Sequence, residues 1–385
     1  MPRTCWSVNE LQYLEAPGAS VLAFHNIYPQ GKQGGVEVIQ HGERVAVCGE
    51  VRPDVKAGRP KLHSRPGERR VDPQAALIEV PLTEPNLAIA YTVRLRAEGD
   101  AVRLTVDLEK PFDPQAAPGA AFCIELYPPA YFGKTFHLGG VSAVFPREPG
   151  SPVTANPAGR SRAVAMARGP RLALAPEDPA RRMTIEAVGC ELELFDGRKC
   201  DDEAWFTVST PLRAGATQRA VEWLITPHRI PGWRRAPVIA ISQVGYHPDQ
   251  DKRAVIELDA ACEDLGTAEL LRVAAEGGKV AALSAPVQKW GRWLRYRYGI
   301  FDFTQVREPG LYFVTYAGQS AGPFRIGADV YAQGVWQPTL ESFLPVQMCH
   351  VDVWDGMRLW HAACHLDEAV QAPAPCEHLD GYSQG

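Results

Sequence analysis

No run of apolar residues in this chain approaches the roughly 18 that a membrane-crossing helix needs. The opening residues, Met1-Pro-Arg-Thr-Cys-Trp6, show no apolar core of a secretory signal. An excess of positive charge is also missing: 40 basic residues are interspersed with 45 acidic ones, for a net charge of −5. That leaves no basic footprint for a phosphate backbone, which argues against nucleic acid as a partner. Cysteine is scarce, nine scattered residues in 385, too few for a disulfide scaffold and odd in number, so at least one thiol is unpaired. No P-loop, dinucleotide fingerprint or G-x-S-x-G elbow occurs, and Gly31-Lys-Gln-Gly-Gly35 reads as a loop. What is plentiful is punctuation. The 34 glycines and 33 prolines are roughly a sixth of the chain, where ordinary usage is about 12%, so short elements and few long helices are expected.

From Val21 to about Ile225 short β-type runs alternate with turn signals. Ile89 to Ala97 and Ala101 to Leu108 flank Glu98-Gly99-Asp100, with Tyr91, Val93 and Leu95 on one face and Thr92, Arg94 and Arg96 on the other. That pattern predicts an antiparallel hairpin with one buried face. Similar runs at Val36 to Ile39, Met183 to Ala187, Glu191 to Phe195, Trp205 to Ser209 and Ala220 to Ile225 predict a β-sandwich of about a dozen strands. The proline-rich stretch Pro146 to Gly159 reads as a surface loop. Three prolines and a glycine in Thr226 to Pro237 mark a boundary. Beyond it, runs at Val238 to Val244, Arg253 to Leu258, Ala268 to Val273, Leu294 to Phe303 and Leu311 to Tyr316 have the spacing of an immunoglobulin-like sandwich. From Thr339 to Met348 the apolar spacing becomes helical, with Pro345 shortening the helix, and Cys349 to Gly385 is irregular. About 50 residues of that composition cannot bury a core of their own, so the chain reads as cut off inside a third domain. The fold class expected is mainly β, with domains at 1–234, 235–328 and 329–385.

The second sandwich carries Ile241-Ser-Gln-Val-Gly-Tyr-His-Pro-Asp-Gln-Asp-Lys-Arg-Ala-Val-Ile256, then Phe301-Asp-Phe-Thr-Gln-Val-Arg-Glu-Pro-Gly-Leu-Tyr-Phe-Val-Thr315, then Ser320-Ala-Gly-Pro-Phe-Arg-Ile326. In this order the strings resemble the N-terminal immunoglobulin-like domain of glycoside hydrolase family 9, the cellulase family with an (α/α)6 catalytic barrel. Gln347-Met-Cys349 and Ala363-Cys364-His365 are similar to segments that open that barrel. The resemblance covers roughly residues 237 to 385. It implies a polysaccharide partner, hydrolysis of β-1,4-glucan with inversion, the barrel as intramolecular partner, and action outside the cytoplasm. The alternative is a carbohydrate-binding or docking module made of two β-sandwiches. The Gln-Val-Gly-Tyr string itself reads as structural, with Gly245 easing a close turn and Tyr246 burying its ring while its hydroxyl finds a partner.

Inverting glycosidases need two carboxyl groups about 6.5–9.5 Å apart. The family's Asp-Ala-Gly-Asp base motif is absent, and Asp352-Val-Trp-Asp355 reads instead as solvated loop carboxylates, so no catalytic residue is assigned. Cys349, Cys364, His365 and His378, with His350 and Cys376 nearby, supply the thiolates and imidazoles that a structural zinc prefers. Buried cysteines beside surface histidines account for the same cluster. The resemblance implies zinc on Cys349, Cys364 and His365, with the fourth ligand a His close to the catalytic Asp and missing from this chain, and His378 the weaker local candidate. The densest aromatic cluster, Trp290, Trp293, Tyr296 and Tyr298, is a potential sugar-stacking platform. Its strand parity, with Trp293, Arg295 and Arg297 on one face, favours core packing. Phe24 to Tyr28 and Tyr131 to Phe136 read as sheet core and rim.

Overall fold

The computed structural model describes residues 5–27, 34–52, 64–340 and 352–362, apart from 86, 116, 118, 156–160, 201–204, 333 and 356. Contacts divide the chain into two compact units, Met1–Arg235 and Ala236–Gly385.

The first unit is built from two antiparallel sheets. One has nine strands in the order Ser7–Val8, Leu14–Ala16, Ala19–Ala23, Val36–Gln40, Glu43–Arg52, Ala121–Leu126, Phe206–Pro211, Leu192–Asp196, Ala165–Gly169. The other has ten and runs Val141–Val144, Thr135–Leu138, Arg171–Leu174, Met183–Ala187, Val221–Pro227, Ala101–Leu108, Ile89–Glu98, Leu77–Glu84, Arg65–Pro66, with Arg70–Asp72 also on Leu77–Glu84. That is far more strand than the dozen runs the sequence suggested.

The hairpin read from alternation is present. Val93 lies opposite Val106 and Leu95 opposite Leu104, and these four are fully buried, each contributing about 1.5–3 kcal/mol by leaving water. Residues of the opposite parity, among them Arg94, Arg96 and Arg103, point outward, where Arg94 pairs with Glu79 and Asp107 and Arg103 with Glu98 and Glu222. One continuous core joins the two sheets. Trp223 sits in it edge-on to Phe122, with centroids 5.0 Å apart, and donates its indole N–H to Thr210 Oγ1 at 3.0 Å.

The described part of the proline-rich stretch, 146–155, is mostly exposed and held against the sheet. Arg198 lies over the Phe206 ring at 4.5 Å and donates to the carbonyls of Pro146 (2.9 Å) and Arg147 (2.7 Å) and to both Asp196 oxygens (2.8 Å each). Val153–Ala155 pairs there with Ser161–Ala163 outside the two main sheets. A small second cluster of Ala121, Cys123, Ala163, Phe195 and Cys200 is buried on this side.

The second unit carries two four-stranded antiparallel sheets, Val238–Ala240, Arg253–Asp259, Tyr296–Asp302, Gln288–Trp293 and Lys279–Pro286, Thr267–Val273, Gly310–Tyr316, Gln319–Ile326. Their core includes Ile256, Leu270, Phe301, Val314 and Phe324. Gly245 has φ +104°, and a Cβ there would stand 2.3 Å from the Arg325 carbonyl oxygen. Only glycine allows Tyr246 to donate its backbone N–H to that carbonyl at 2.8 Å. The Tyr246 ring is buried, and its hydroxyl accepts Ser242 N–H (2.9 Å) and donates to the Arg253 carbonyl (2.8 Å). The buried Lys252 ammonium is satisfied by the carbonyls of Pro248 (2.7 Å) and Gln250 (2.9 Å). Gly310 opens a strand without positive φ. Its missing side chain leaves room for Arg272 Nε, which would be 3.0 Å from a Cβ.

Of the 329–385 segment, the described residues include a helical turn at 337–340, closed by Leu340 N–H on the Trp336 carbonyl at 2.9 Å. A hairpin follows, of Val353–Asp355 with Arg358–His361. The rest of the helix expected to Met348 lies outside the described residues.

Candidate functional surface

Trp290 and Trp293 are not core residues. They are 62% and 60% exposed, and with Tyr298, Val255 and Ile300 they line a shallow hollow of about 270 Å³ on the outer face of one sheet. Strand parity breaks here for a local reason. The chain reverses between Trp293 and Tyr296, which lie directly opposite each other, with Leu294 at φ +50° in the turn. A bulge between Lys289 and Gly291, where Gly291 has φ +149°, then turns Trp290 outward as well. The Trp290 and Tyr298 rings meet nearly at right angles with centroids 5.9 Å apart, and Trp293 is 6.4 Å from Tyr298. Tyr298 is fixed by donating its hydroxyl to Glu257 Oε2 at 3.0 Å. The hollow is therefore apolar and aromatic, with a carboxylate at its margin. Exposed Val238 stands opposite Glu257 on the adjoining strand.

The other aromatic stretches behave as the sequence indicated, with Phe24, Tyr131 and Phe136 buried. Tyr28 lies outside the described residues.

The first unit holds a charged cluster that sequence reasoning missed. Arg52, 1% exposed, places Nη1 2.7 Å from Glu125 Oε1, Nε 3.4 Å from Glu50 Oε1, and donates Nη2 to the Cys48 carbonyl at 3.1 Å. Glu50 accepts Ser64 N–H at 3.1 Å. Tyr91 donates its hydroxyl to Ser64 Oγ at 2.6 Å and accepts Val51 N–H at 3.2 Å. Burial, reinforced by Glu50, pushes the Tyr91 hydroxyl far above the usual tyrosine range. Burial likewise pushes the Cys123 thiol up to about 12, against the pull of Arg52. The arrangement ties together the strands that carry Glu50 and Arg52, Tyr91, and Glu125. Its only sequence signal is the run Cys48-Gly-Glu-Val-Arg52 after the apolar Val45-Ala-Val47.

The proposed zinc ligands Cys349, Cys364 and His365, with His350, Cys376 and His378, lie outside the described residues. Among the described residues no group of three or more His, Cys, Asp or Glu is arranged to hold a metal. Asp352 is exposed, and Asp355 lies opposite Arg358 in the hairpin.

Residues 234–321 match the family model described as cellulase N-terminal ig-like domain. The Gly245–Tyr246 turn, the buried Lys252 and the aromatic hollow all fall within that stretch. Among solved structures, a metagenome-derived glycoside hydrolase family 9 endoglucanase is similar at 24% identity over 33% of this chain, with a TM-score of 0.26. Bacteroides ovatus GH9 is similar at 24% identity over 35%, also at 0.26. The chain spans about a quarter of the length of each, 24% and 23% respectively. A search of curated proteins finds no match.

Proposed function

We propose that this chain is the N-terminal region of a family 9 glycoside hydrolase acting on β-1,4-glucan, with catalytic carboxylates supplied by sequence outside the two described units. The match of residues 234–321 to the cellulase N-terminal model carries this reading. In it the immunoglobulin-like unit is a rigid prop for a helical barrel, and a structural zinc on Cys349, Cys364 and His365 belongs to the barrel's opening, a donor set of two thiolates and an imidazole that suits zinc. The test is release of reducing ends from a soluble β-glucan. The 385-residue chain alone should release none, and the product of the reading frame extended beyond Gly385 should be active. An inactive extended product would refute the reading.

The exposure of Trp290, Trp293 and Tyr298 favours a second reading, a glucan-holding module, because the apolar CH faces of pyranose rings stack on indole and phenol faces. It predicts that the chain sediments with insoluble cellulose and that Trp290→Ala/Trp293→Ala reduces retention at least tenfold. Equal retention of both proteins would remove the hollow from consideration.

A further inference from the structure

The segment by which the chain leaves the first unit, 228–235, is fastened by two histidines whose hydrogen bonds require them to be uncharged. His41 donates Nδ1–H to the Ala180 carbonyl at 2.9 Å, and its Nε2 faces the Ile230 N–H at 3.4 Å, a bond it can make only as an acceptor. Trp233 packs edge-on against the same imidazole with centroids 5.3 Å apart. His228 presents Nε2 to Arg182 Nη2 at 3.2 Å. A guanidinium is only a donor, so that nitrogen must carry a lone pair. Gln40 Nε2 closes the arrangement, donating to the carbonyls of Arg182 (2.9 Å) and His228 (3.4 Å), while His228 N–H also reaches the Arg182 carbonyl at 2.9 Å.

The charged groups around the pair are mostly cationic. Arg181 reaches the same Ala180 carbonyl at 3.0 Å and pairs with Glu43. Arg229 pairs with Asp100 at 2.7 Å. Arg182 touches His228 directly, and the Arg235 guanidinium would meet a Cβ on Gly42, next to His41, at 3.1 Å. Asp178 accepts the Ala180 N–H and pairs with Lys134 at 2.7 Å. Burial first, then Arg182, His41 and Arg229, hold the His228 imidazole below the usual histidine range.

We propose that His41 and His228 form an acid-released latch: protonation of either Nε2 sets N–H against N–H and detaches residues 228–235 from Gln40, His41 and Arg182. For a base whose folded pKa is depressed, as that of His228 is, the folded state binds fewer protons than the unfolded one. The His228 half of the latch is therefore at full strength above about pH 6.5, the unfolded histidine value, and weakens as pH falls below it. Acidification thus frees the stretch that leads into Ala236, while the strand Val221–Pro227 stays in its sheet.

The experiment is hydrogen exchange on the whole chain between pH 8 and pH 5, read by mass spectrometry and corrected for the intrinsic pH dependence of exchange. Protection of 228–235 should fall at least tenfold below pH 6 while that of 221–227 is retained. His41→Gln/His228→Gln, whose amides can donate and accept without titrating, should keep protection at pH 5. Constant protection of 228–235 in the wild type would overturn the proposal. So would a double variant that loses protection as the wild type does, which would assign the change to Glu43, Asp100 or Asp178. Should the double variant be open already at pH 8, histidine ¹⁵N shifts of the wild type decide. Both residues should be Nδ1–H tautomers at pH 8 with bare Nε2, and a protonated Nε2 at that pH in either residue would contradict the latch.

Discussion

Arg52→Met takes the guanidinium away from two buried carboxylates and leaves the surrounding apolar packing nearly intact. Glu125, 2.7 Å away, and Glu50, 3.4 Å away, are 1% and 4% exposed. Water therefore cannot replace the lost partner. Breaking a buried ion pair from one side costs about 3–5 kcal/mol. For a unit the size of Met1–Arg235, each kcal/mol moves the midpoint by about 2–4 °C, so the first unit's transition should fall by about 6–20 °C. Differential scanning calorimetry of the whole chain reads this directly, with the transition of the second unit as internal reference. One control identifies the cause. Adding Glu50→Gln and Glu125→Gln removes the stranded charges and should restore at least half of the loss. A single variant whose midpoint drops less than about 2 °C, or a triple variant less stable than the single one, would refute the view that this cluster ties the strands together.

Gly245→Val should lower the stability of the second unit by more than the roughly 1–3 kcal/mol of a strained φ alone, since its Cβ also collides with the Arg325 carbonyl; urea unfolding measures the difference. Tyr246→Phe should cost about 1–3 kcal/mol by orphaning the Ser242 N–H and Arg253 carbonyl in the same assay. Cys123, buried and with its thiol pushed up to about 12, should remain unmodified by a thiol reagent at pH 8.5 in the native chain and react fully in urea, as peptide mass spectrometry will report. Metal analysis of the purified chain should find zinc near one equivalent, reduced by Cys364→Ser.

How much of this was legible depended on whether the signal was local. The 89–108 hairpin could be read because its apolar residues alternate and a single glycine turn fixes the register. Tyr246 and Gly245 could be read because a tyrosine beside a glycine after an apolar strand leaves few other arrangements. The strand Lys279–Pro286 was missed because its Ala281, Ala282, Ser284 and Ala285 give no contrast between faces. Trp290 and Trp293 were misplaced because the chain reverses between Trp293 and Tyr296 and bulges between Lys289 and Gly291, both invisible to parity counting, so neither tryptophan continues the parity of the strand Tyr296–Asp302. The Arg52 cluster depends on Glu125, 73 residues further along the chain, and the latch joins residues up to 189 apart. No window along the sequence contains either.

The central proposal is that this chain is the N-terminal region of an inverting β-glucan hydrolase. Proton NMR of cello-oligosaccharide cleavage by the product of the extended reading frame, with the 385-residue chain as the blank, tests it most directly. The account predicts that the α-anomer of the newly formed reducing end appears first and then mutarotates, and that the blank shows no cleavage. Initial appearance of the β-anomer, or cleavage by the blank, would contradict it.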